Sequence, residues 1–304
     1  MAVDRKKSPA YYLLYGVFYL HALLPFQLLY VLSDILYWFA YHLARYRRVH
    51  VRRNLMNAFP DKPVMEIRKI ERAFYHHLCD YFVESVKTLH MSDEEAGERM
   101  KFEHTEVIDR WNDEGNSCLL CLGHYANWEW VTSVGLHLMP RAELGLIYKR
   151  LHSEAFDQLF LKIRNHFGAK PIEMKSAFRK MIRLKNEGKT MTVGFLADQR
   201  PSRKQDQYWT TFLNQDTPVQ TGMGKIAVHL AMPVAYLDIT KVKRGYYIGK
   251  IQVLSTDASQ ETELAIMERY MRKLEETVLK EPAYYLWSHN RWKFKKTEAV
   301  QKDL

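Results

Sequence analysis

Cys118-Leu119-Leu120-Cys121-Leu122-Gly123-His124-Tyr125-Ala126-Asn127-Trp128-Glu129 is the stretch on which the reading of the fold turns. An apolar run this short, closed by a glycine, predicts a buried strand over Ser117–Leu122, and the residues after it predict a helix over Trp128–Leu138. Working outward, the same texture repeats. Further strands are expected at Leu144–Tyr148, Met191–Leu196, Val234–Ile239 and Tyr246–Val253. Further helices are expected at Ala155–Phe167, Ala177–Asn186, Met223–Leu230 and Glu261–Leu279. Short apolar runs alternating with longer amphipathic ones identify an α/β domain.

The turn after the first strand carries the chemistry. In an open α/β sheet, sites lie beyond the carboxyl ends of strands, which is where His124 falls. His124 and Glu129 are five residues apart and would diverge by about 140° on a regular helix. They meet only if the first residues form a turn and the helix starts near Asn127, a good N-cap type. Glu129 could then hold one imidazole nitrogen, leaving the other to take a proton from a hydroxyl nucleophile. A His followed by a Glu five later is also common by chance.

Upstream, residues 64–91 have a helical rhythm through Ile67, Ile70, Phe74, Leu78, Tyr81, Phe82 and Ser85, and residues 54–60 read as a short helix stopped by Pro60. The N-terminal stretch is different. Between Lys7 and Asp34 there is no Asp, Glu, Lys or Arg, and Tyr11 to Tyr30 is apolar and aromatic apart from His21, Pro25 and Gln27. About twenty such residues suffice to cross a hydrocarbon core. Tyr11, Tyr12, Tyr37, Trp38 and Tyr41 resemble interfacial aromatic belts. Arg5, Lys6 and Lys7 flank it on one side, and Arg45, Arg47, Arg48, Arg52 and Arg53 on the other. The second cluster is larger, so the remainder of the chain is expected on the cytoplasmic side. The segment could span once or dip in and return near Pro25; a buried helical hairpin is the plainer alternative.

The chain of 304 residues carries 45 Lys and Arg against 35 Asp and Glu, a formal net charge of +10. That surplus favours anionic partners such as lipid headgroups or an acidic carrier protein. No nucleic-acid signature accompanies it, so no nucleic-acid partner is expected. Cys79, Cys118 and Cys121 suggest no disulfide framework. Cys118 and Cys121, three apart on a strand, would point to opposite faces and behave as core thiols. Neither H-E-x-x-H nor a compact His/Cys cluster is present in the sequence, and no metal or cofactor is expected. Residues 220–225 (Gln-Thr-Gly-Met-Gly-Lys) lack the phosphate-loop spacing and read as a helix start beside a substrate pocket.

Several ordered motifs give this constellation a family. The chain resembles the late acyltransferases of lipid A biosynthesis, the lauroyl/myristoyl transferases of Gram-negative bacteria, which belong with the glycerol-phosphate-type acyltransferases. The resemblance is carried by the apolar N-terminus, Arg53-Asn54-Leu55, Ala58-Phe59-Pro60, His124 with Glu129, Ile147-Tyr148-Lys149, Ile163-Arg164, Ala197-Asp198-Gln199, Pro218 to Gly222, and the Tyr285 to Lys293 segment Y-L-W-S-H-N-R-W-K. It implies a mixed central sheet flanked by helices, behind an N-terminal membrane-associated helical segment. The corresponding division is an anchor over residues 1–48, a helical region over 49–100, an α/β acyltransferase domain over 101–296 and a tail over 297–304.

By the same resemblance His124 is the general base and Glu129 its partner, while Arg164, Asp198, Tyr148, Thr221 and Gly222 contact substrate. Arg164 could bind a phosphate or stabilise an oxyanion, and Asp198 could tie Arg164 in place or contact an acceptor sugar. The plainer readings are a helix-surface charge for Arg164 and a turn residue for Asp198. The implied donor is a fatty acyl thioester on acyl carrier protein, or secondarily on coenzyme A. The implied acceptor is a hydroxyl of lipid A or its precursor at the cytoplasmic face of the inner membrane. Rivals are a lysophospholipid or glycolipid acyltransferase of the same fold, and a membrane-anchored binding protein without activity.

Overall fold

The computed structural model describes residues 8–140, 142–201 and 208–296. Helices α1 (Pro9–Ala22), α2 (Phe26–Trp38, running on as a π-helical turn Phe39–Leu43), α3 (Arg48–Ala58) and α4 (Val64–Lys87) come first. Then α5 (Asp93–Arg99) and α6 (Glu106–Asp113) flank strand β1 (Met100–Glu103), and β2 (Cys118–Leu122) follows. A 3-10 helix over Trp130–Leu136 leads to β3 (Glu143–Tyr148), α7 (Glu154–Arg164), β4 (Lys170–Glu173), α8 (Ala177–Asn186) and β5 (Met191–Leu196). The chain closes with the hairpin β6 (Tyr208–Phe212) and β7 (Gln215–Val219), helix α9 (Gly222–Leu230), strands β8 (Val234–Lys243) and β9 (Tyr246–Ser255), and α10 (Glu263–Lys280).

Seven strands form one sheet in the order β1-β9-β8-β2-β5-β3-β4, parallel throughout except for the β8–β9 hairpin. This is the mixed central sheet that the sequence implied. β2 and β5 lie at its centre with both faces covered, so every residue of Cys118–Leu122 is buried and the run is uniformly apolar rather than alternating. Cys118 contacts Thr192 and Cys121 contacts the Ala235 carbonyl on the two flanking strands, and both thiols are buried. Burial pushes the Cys118 thiol up to about 12, so it stays protonated.

The strands that sequence reading missed are the two edges. β1 and β4 are four residues each and only half buried. An edge strand pairs on one side alone and does not need a continuous apolar run. The β6–β7 hairpin was also missed. Its turn, Leu213-Asn214, has both residues at positive φ, the geometry that Asn-Gly usually announces. Other boundaries shift. The expected helix over Trp128–Leu138 is the 3-10 helix, the short helix ahead of Pro60 begins at Arg48, and the long helix ends at Lys87. Phe294, near the end of the expected α/β domain, is buried; the expected tail 297–304, like Arg5, Lys6 and Lys7, lies outside the described residues.

One apolar core runs from Phe26 on α2 to Trp287 near the C-terminus, so α2, α3, α4 and the sheet share it, while α1 packs in a second cluster with Val86, Leu89, Leu159 and Ile163. No single helix among the described residues is long and apolar enough to cross a membrane, although α1 with α2 and its π turn passes that test as a pair bent by 117°.

Gly224 on α9 marks a close approach of two helix backbones: a Cβ there would fall against the Glu263 carbonyl at the start of α10. Alanine is the better helix former by ~1 kcal/mol. Backbone cannot swing away as a side chain can, so the clash decides the sign. Gly224→Ala is expected to destabilise the protein by ~1–3 kcal/mol in urea denaturation, as overpacking does.

Candidate active site

The parallel register pairs Leu122 of β2 with Leu196 of β5, so the residues two positions past each strand end emerge side by side. Those residues are His124 and Asp198. Onward connections from the two strands leave in opposite directions, β2 toward β3 and β5 toward β8, the kind of switch point at which sites form in open α/β sheets. His124 Nδ1 donates to Asp198 Oδ1 at 2.6 Å, and the His124 backbone N–H donates to Asp198 Oδ2 at 3.2 Å. Asp198 is almost fully buried. Burial alone would push its carboxyl up, but the charge and hydrogen bonds of His124 outweigh it and hold the group below its ordinary 3.8.

With Nδ1–H committed to the carboxylate, Nε2 carries the lone pair. The Gln199 amide donates to it at 3.1 Å. Gln199 is itself steadied through its backbone carbonyl, which accepts from Gln220 Nε2 at 3.1 Å.

Glu129 does not reach the imidazole. It lies at the start of the 3-10 helix and forms a two-pronged ion pair with Arg164: Nε to Oε2 at 2.9 Å and Nη2 to Oε1 at 2.6 Å. Tyr81 OH lies 3.5 Å from Glu129 Oε1. The expected partnerships are therefore exchanged: Asp198, not Glu129, holds His124, and Glu129, not Asp198, holds Arg164. The physical reason is strand pairing. Adjacent parallel strands bring residues 74 apart together, whereas the chain from His124 to Glu129 bends away through Ala126 at φ +51°. The two pairs remain neighbours, because the Trp128 ring meets the His124 ring edge-on (5.3 Å between centroids) and stacks on Tyr81 at 3.9 Å. Burial opposes the charge on the Arg164 guanidinium, but the Glu129 carboxylate more than offsets it and raises its pKa further.

The expected helix start near Asn127 moves on, with Glu129 at the N-cap position of the 3-10 helix; Asn127 Oδ1 still accepts from Trp130 N at 3.1 Å. Its amide also donates to Glu84 Oε2 at 2.8 Å, and Glu84 accepts from Tyr247 OH and Tyr30 OH as well. Glu84 on α4 thus anchors the loop that bears His124. Tyr148 ends β3 at the same sheet edge, half-buried, and Thr221 precedes α9 with Gly222 as its first residue. The adjoining Gln220 reaches the Gln199 and Arg200 carbonyls. The 220–225 segment is a helix start, as its sequence suggested.

Sequence reasoning gave no role to Gln199, Tyr81 or Glu84, nor to the C-terminal strap. Tyr284 and Leu286 bond the backbone on either side of Tyr125: Ala126 N–H donates to Tyr284 O at 3.0 Å and Leu286 N–H to His124 O at 3.1 Å. α3 holds the strap in turn, through Asn54 to Trp287 O, Arg47 to Ser288 O and His50 to His289 O. Arg291 is 1% exposed and donates from Nη1 to Pro218 O at 2.6 Å. Burial lowers the His289 imidazole to about 4, against the nearby Asp198, so it is neutral at pH 7. The motifs Arg53-Asn54-Leu55 and Tyr285 to Lys293 were the available signals, since they turn out to be two sides of one contact.

Residues 4–294 match the model of a family described as bacterial lipid A biosynthesis acyltransferase. No curated protein matches the chain.

Glu129 is 2% exposed, and removing the Arg164 guanidinium strands a buried carboxylate. Arg164→Met is expected to cost ~3–5 kcal/mol in urea denaturation, and the double variant Glu129→Gln/Arg164→Met to recover most of it. The depressed Asp198 carboxyl makes a second prediction. Its contribution to stability is present above pH 3.8 and is lost as pH falls through the lower folded-state value. Asp198→Asn should flatten this part of the acid limb of a stability–pH curve.

Proposed function

The chain belongs to the bacterial lipid A biosynthesis acyltransferase family, and from that premise we propose that it moves a fatty acyl chain from a thioester to a lipid hydroxyl, with His124 as the general base. The observation that carries the reading is the 2.6 Å bond between His124 Nδ1 and Asp198, which leaves the lone pair on Nε2 to accept a proton.

An acceptor hydroxyl displaces the Gln199 amide from Nε2 and gives its proton to that nitrogen as its oxygen attacks the thioester carbonyl. The ionised Asp198 stabilises the imidazolium that forms. The tetrahedral oxyanion is neutralised by Arg164, whose Nε and Nη2 are held by Glu129 and whose Nη1 is left for substrate. Collapse expels the thiolate, which takes the proton back from Nε2. The enzyme forms no covalent bond, and the proton lost by the acceptor ends on the thiol. Tyr148, Thr221 and Gly222 contact the substrates, as the family resemblance implies. The donor is an acyl chain on acyl carrier protein, with coenzyme A as the lesser candidate; the acceptor is lipid A or its precursor. The protein works at the cytoplasmic face of the inner membrane.

Lipid mass spectrometry of cells lacking this gene, complemented with variants, tests the reading. Wild type is expected to restore one acyl chain to lipid A, and His124→Ala to restore none. Asp198→Asn is expected to lower the transfer rate by about 10²–10⁴, the range for a base deprived of its orienting carboxylate. Loss of a chain from a different lipid would move the acceptor to the lysophospholipid or glycolipid alternative. Full complementation by His124→Ala would overturn the mechanism.

A further inference from the structure

The N-terminal helices are short, bent and tied down on one side. At 1.5 Å per residue, the 14 residues of α1 extend about 21 Å and the 18 of α2 with its π turn about 27 Å, both short of a hydrocarbon core of about 30 Å. The bend between them falls at Leu23, Leu24 and Pro25, and proline cannot continue the helical hydrogen bonding. Lys87 of α4 closes the break: its Nζ donates to Ala22 O at 2.9 Å and to Leu24 O at 3.0 Å. A straight continuous span would have to give up both bonds.

The inner face of α2 is fixed by polar bonds to the α/β body. Tyr30 OH donates to Glu84 at 3.1 Å and Ser33 Oγ to Asp80 at 2.8 Å. Arg244, in the turn between β8 and β9, bonds Asp34 and Asp80 together, each at 2.6 Å. The next residue, Gly245, has φ +74°, and a side chain there would strike the Tyr30 hydroxyl. α1 is held through Lys162 Nζ to Tyr15 OH at 3.1 Å and through Phe18 edge-on to Phe82 and Phe156. The groups that bind α1 and α2 are therefore on α4, α7 and the β8–β9 turn, not on solvent.

Their outer faces are the reverse. Tyr12, Leu13 and Leu20 on α1, and Val31, Ile35 and Trp38 on α2, are each more than half exposed. From Ser8 to Ala44 the sole Asp, Glu, Lys or Arg is Asp34, already paired inward. Exposed arginines begin directly after, at Arg45 and Arg47, and recur at Arg53 on α3 beside Val49 (86% exposed) and Met56. An uncharged apolar face rimmed by cations, with apolar and basic residues sharing the adjoining helix surface, matches the section through one leaflet of an anionic bilayer.

We propose that α1 and α2 form a re-entrant wedge in one leaflet of a lipid bilayer, with both ends of the pair on the side that holds the α/β domain and Arg45 and Arg53 against anionic headgroups. The wedge packs directly on α7, the helix that ends in Arg164, so it sets the site at the level of the headgroups. The choice of a bilayer as occupant rests on the lipid-acceptor reading above.

The full chain provides its own quiet background for the test, since Cys79, Cys118 and Cys121 are all buried. Ala10→Cys, Leu23→Cys and Ala44→Cys, made singly, are probed with a membrane-impermeant maleimide in inside-out and right-side-out vesicles. The wedge predicts that the Ala10 and Ala44 reporters label in inside-out vesicles alone, and that the Leu23 reporter labels in neither until detergent is added. Labelling of Ala10→Cys from the right-side-out face, with Ala44→Cys from the other, would mean a span and overturn the proposal. Recovery of the protein in the soluble fraction as a dimer by light scattering would mean that a second copy covers the face, and would overturn it too. Arg45→Gln/Arg53→Gln is expected to weaken binding of the purified protein to phosphatidylglycerol vesicles by about tenfold or more, with little change on phosphatidylcholine; equal binding to both would remove the headgroup contact. Lipid mass spectrometry on the same reporters separates a failure of this topology from a failure of the acyl-transfer reading.

Discussion

The alignment of two central strands is the constraint on which the rest of the site depends. Because Leu122 pairs with Leu196, the first polar side chains beyond the sheet are brought together by the sheet itself. A shift of one residue in that register would turn His124 and Asp198 to opposite faces. The register is secured by the apolar run of β2, whose residues pack on both sides of the sheet, and by strands on either flank. His124 then needs little from its neighbours beyond a fixed backbone. The C-terminal strap supplies it, bonding the chain at His124 and Ala126.

α4 performs the complementary task, and it does so with charge. Along one helix Glu71, Asp80, Glu84 and Lys87 are buried, an arrangement that would be costly were any of them unpaired. Each has partners from a different layer: Arg52 of α3 for Glu71, Ser33 of α2 and Arg244 of the β8–β9 turn for Asp80, Asn127 and Tyr247 for Glu84, and carbonyls at the α1–α2 bend for Lys87. A buried pair adds little net stability over apolar packing, but losing one member is expensive. The outcome is geometric specificity: α4 holds the N-terminal helices, the sheet and the loop bearing His124 in one arrangement.

Central elements were legible in the sequence because both faces of β2 and β5 are covered and leave uninterrupted apolar runs. Edge strands β1 and β4 were not, since half their surface faces solvent and their residues are mixed. The same logic applies to the site. His124 stood out by position, just past a buried strand, Glu129 by its local spacing from His124, and Arg164 and Asp198 by resemblance to a family. Who pairs with whom was not legible, because pairing follows from which strands are neighbours, and the order β2-β5-β3 is not the order of the chain. A reading confined to local spacing joined His124 to the nearest acid in sequence. The sheet joined it to one 74 residues away.

The tautomer of His124 tests this account most directly. In protein carrying ¹⁵N-labelled histidine, with the His124 signals assigned by their loss in His124→Ala, nitrogen–proton couplings report which ring nitrogen is protonated. The account predicts the Nδ1–H tautomer at neutral pH, with its proton shifted strongly downfield by Asp198 and that shift abolished by Asp198→Asn but retained in Glu129→Gln. An Nε2–H tautomer, or a signal that responds to Glu129→Gln and not to Asp198→Asn, would contradict it.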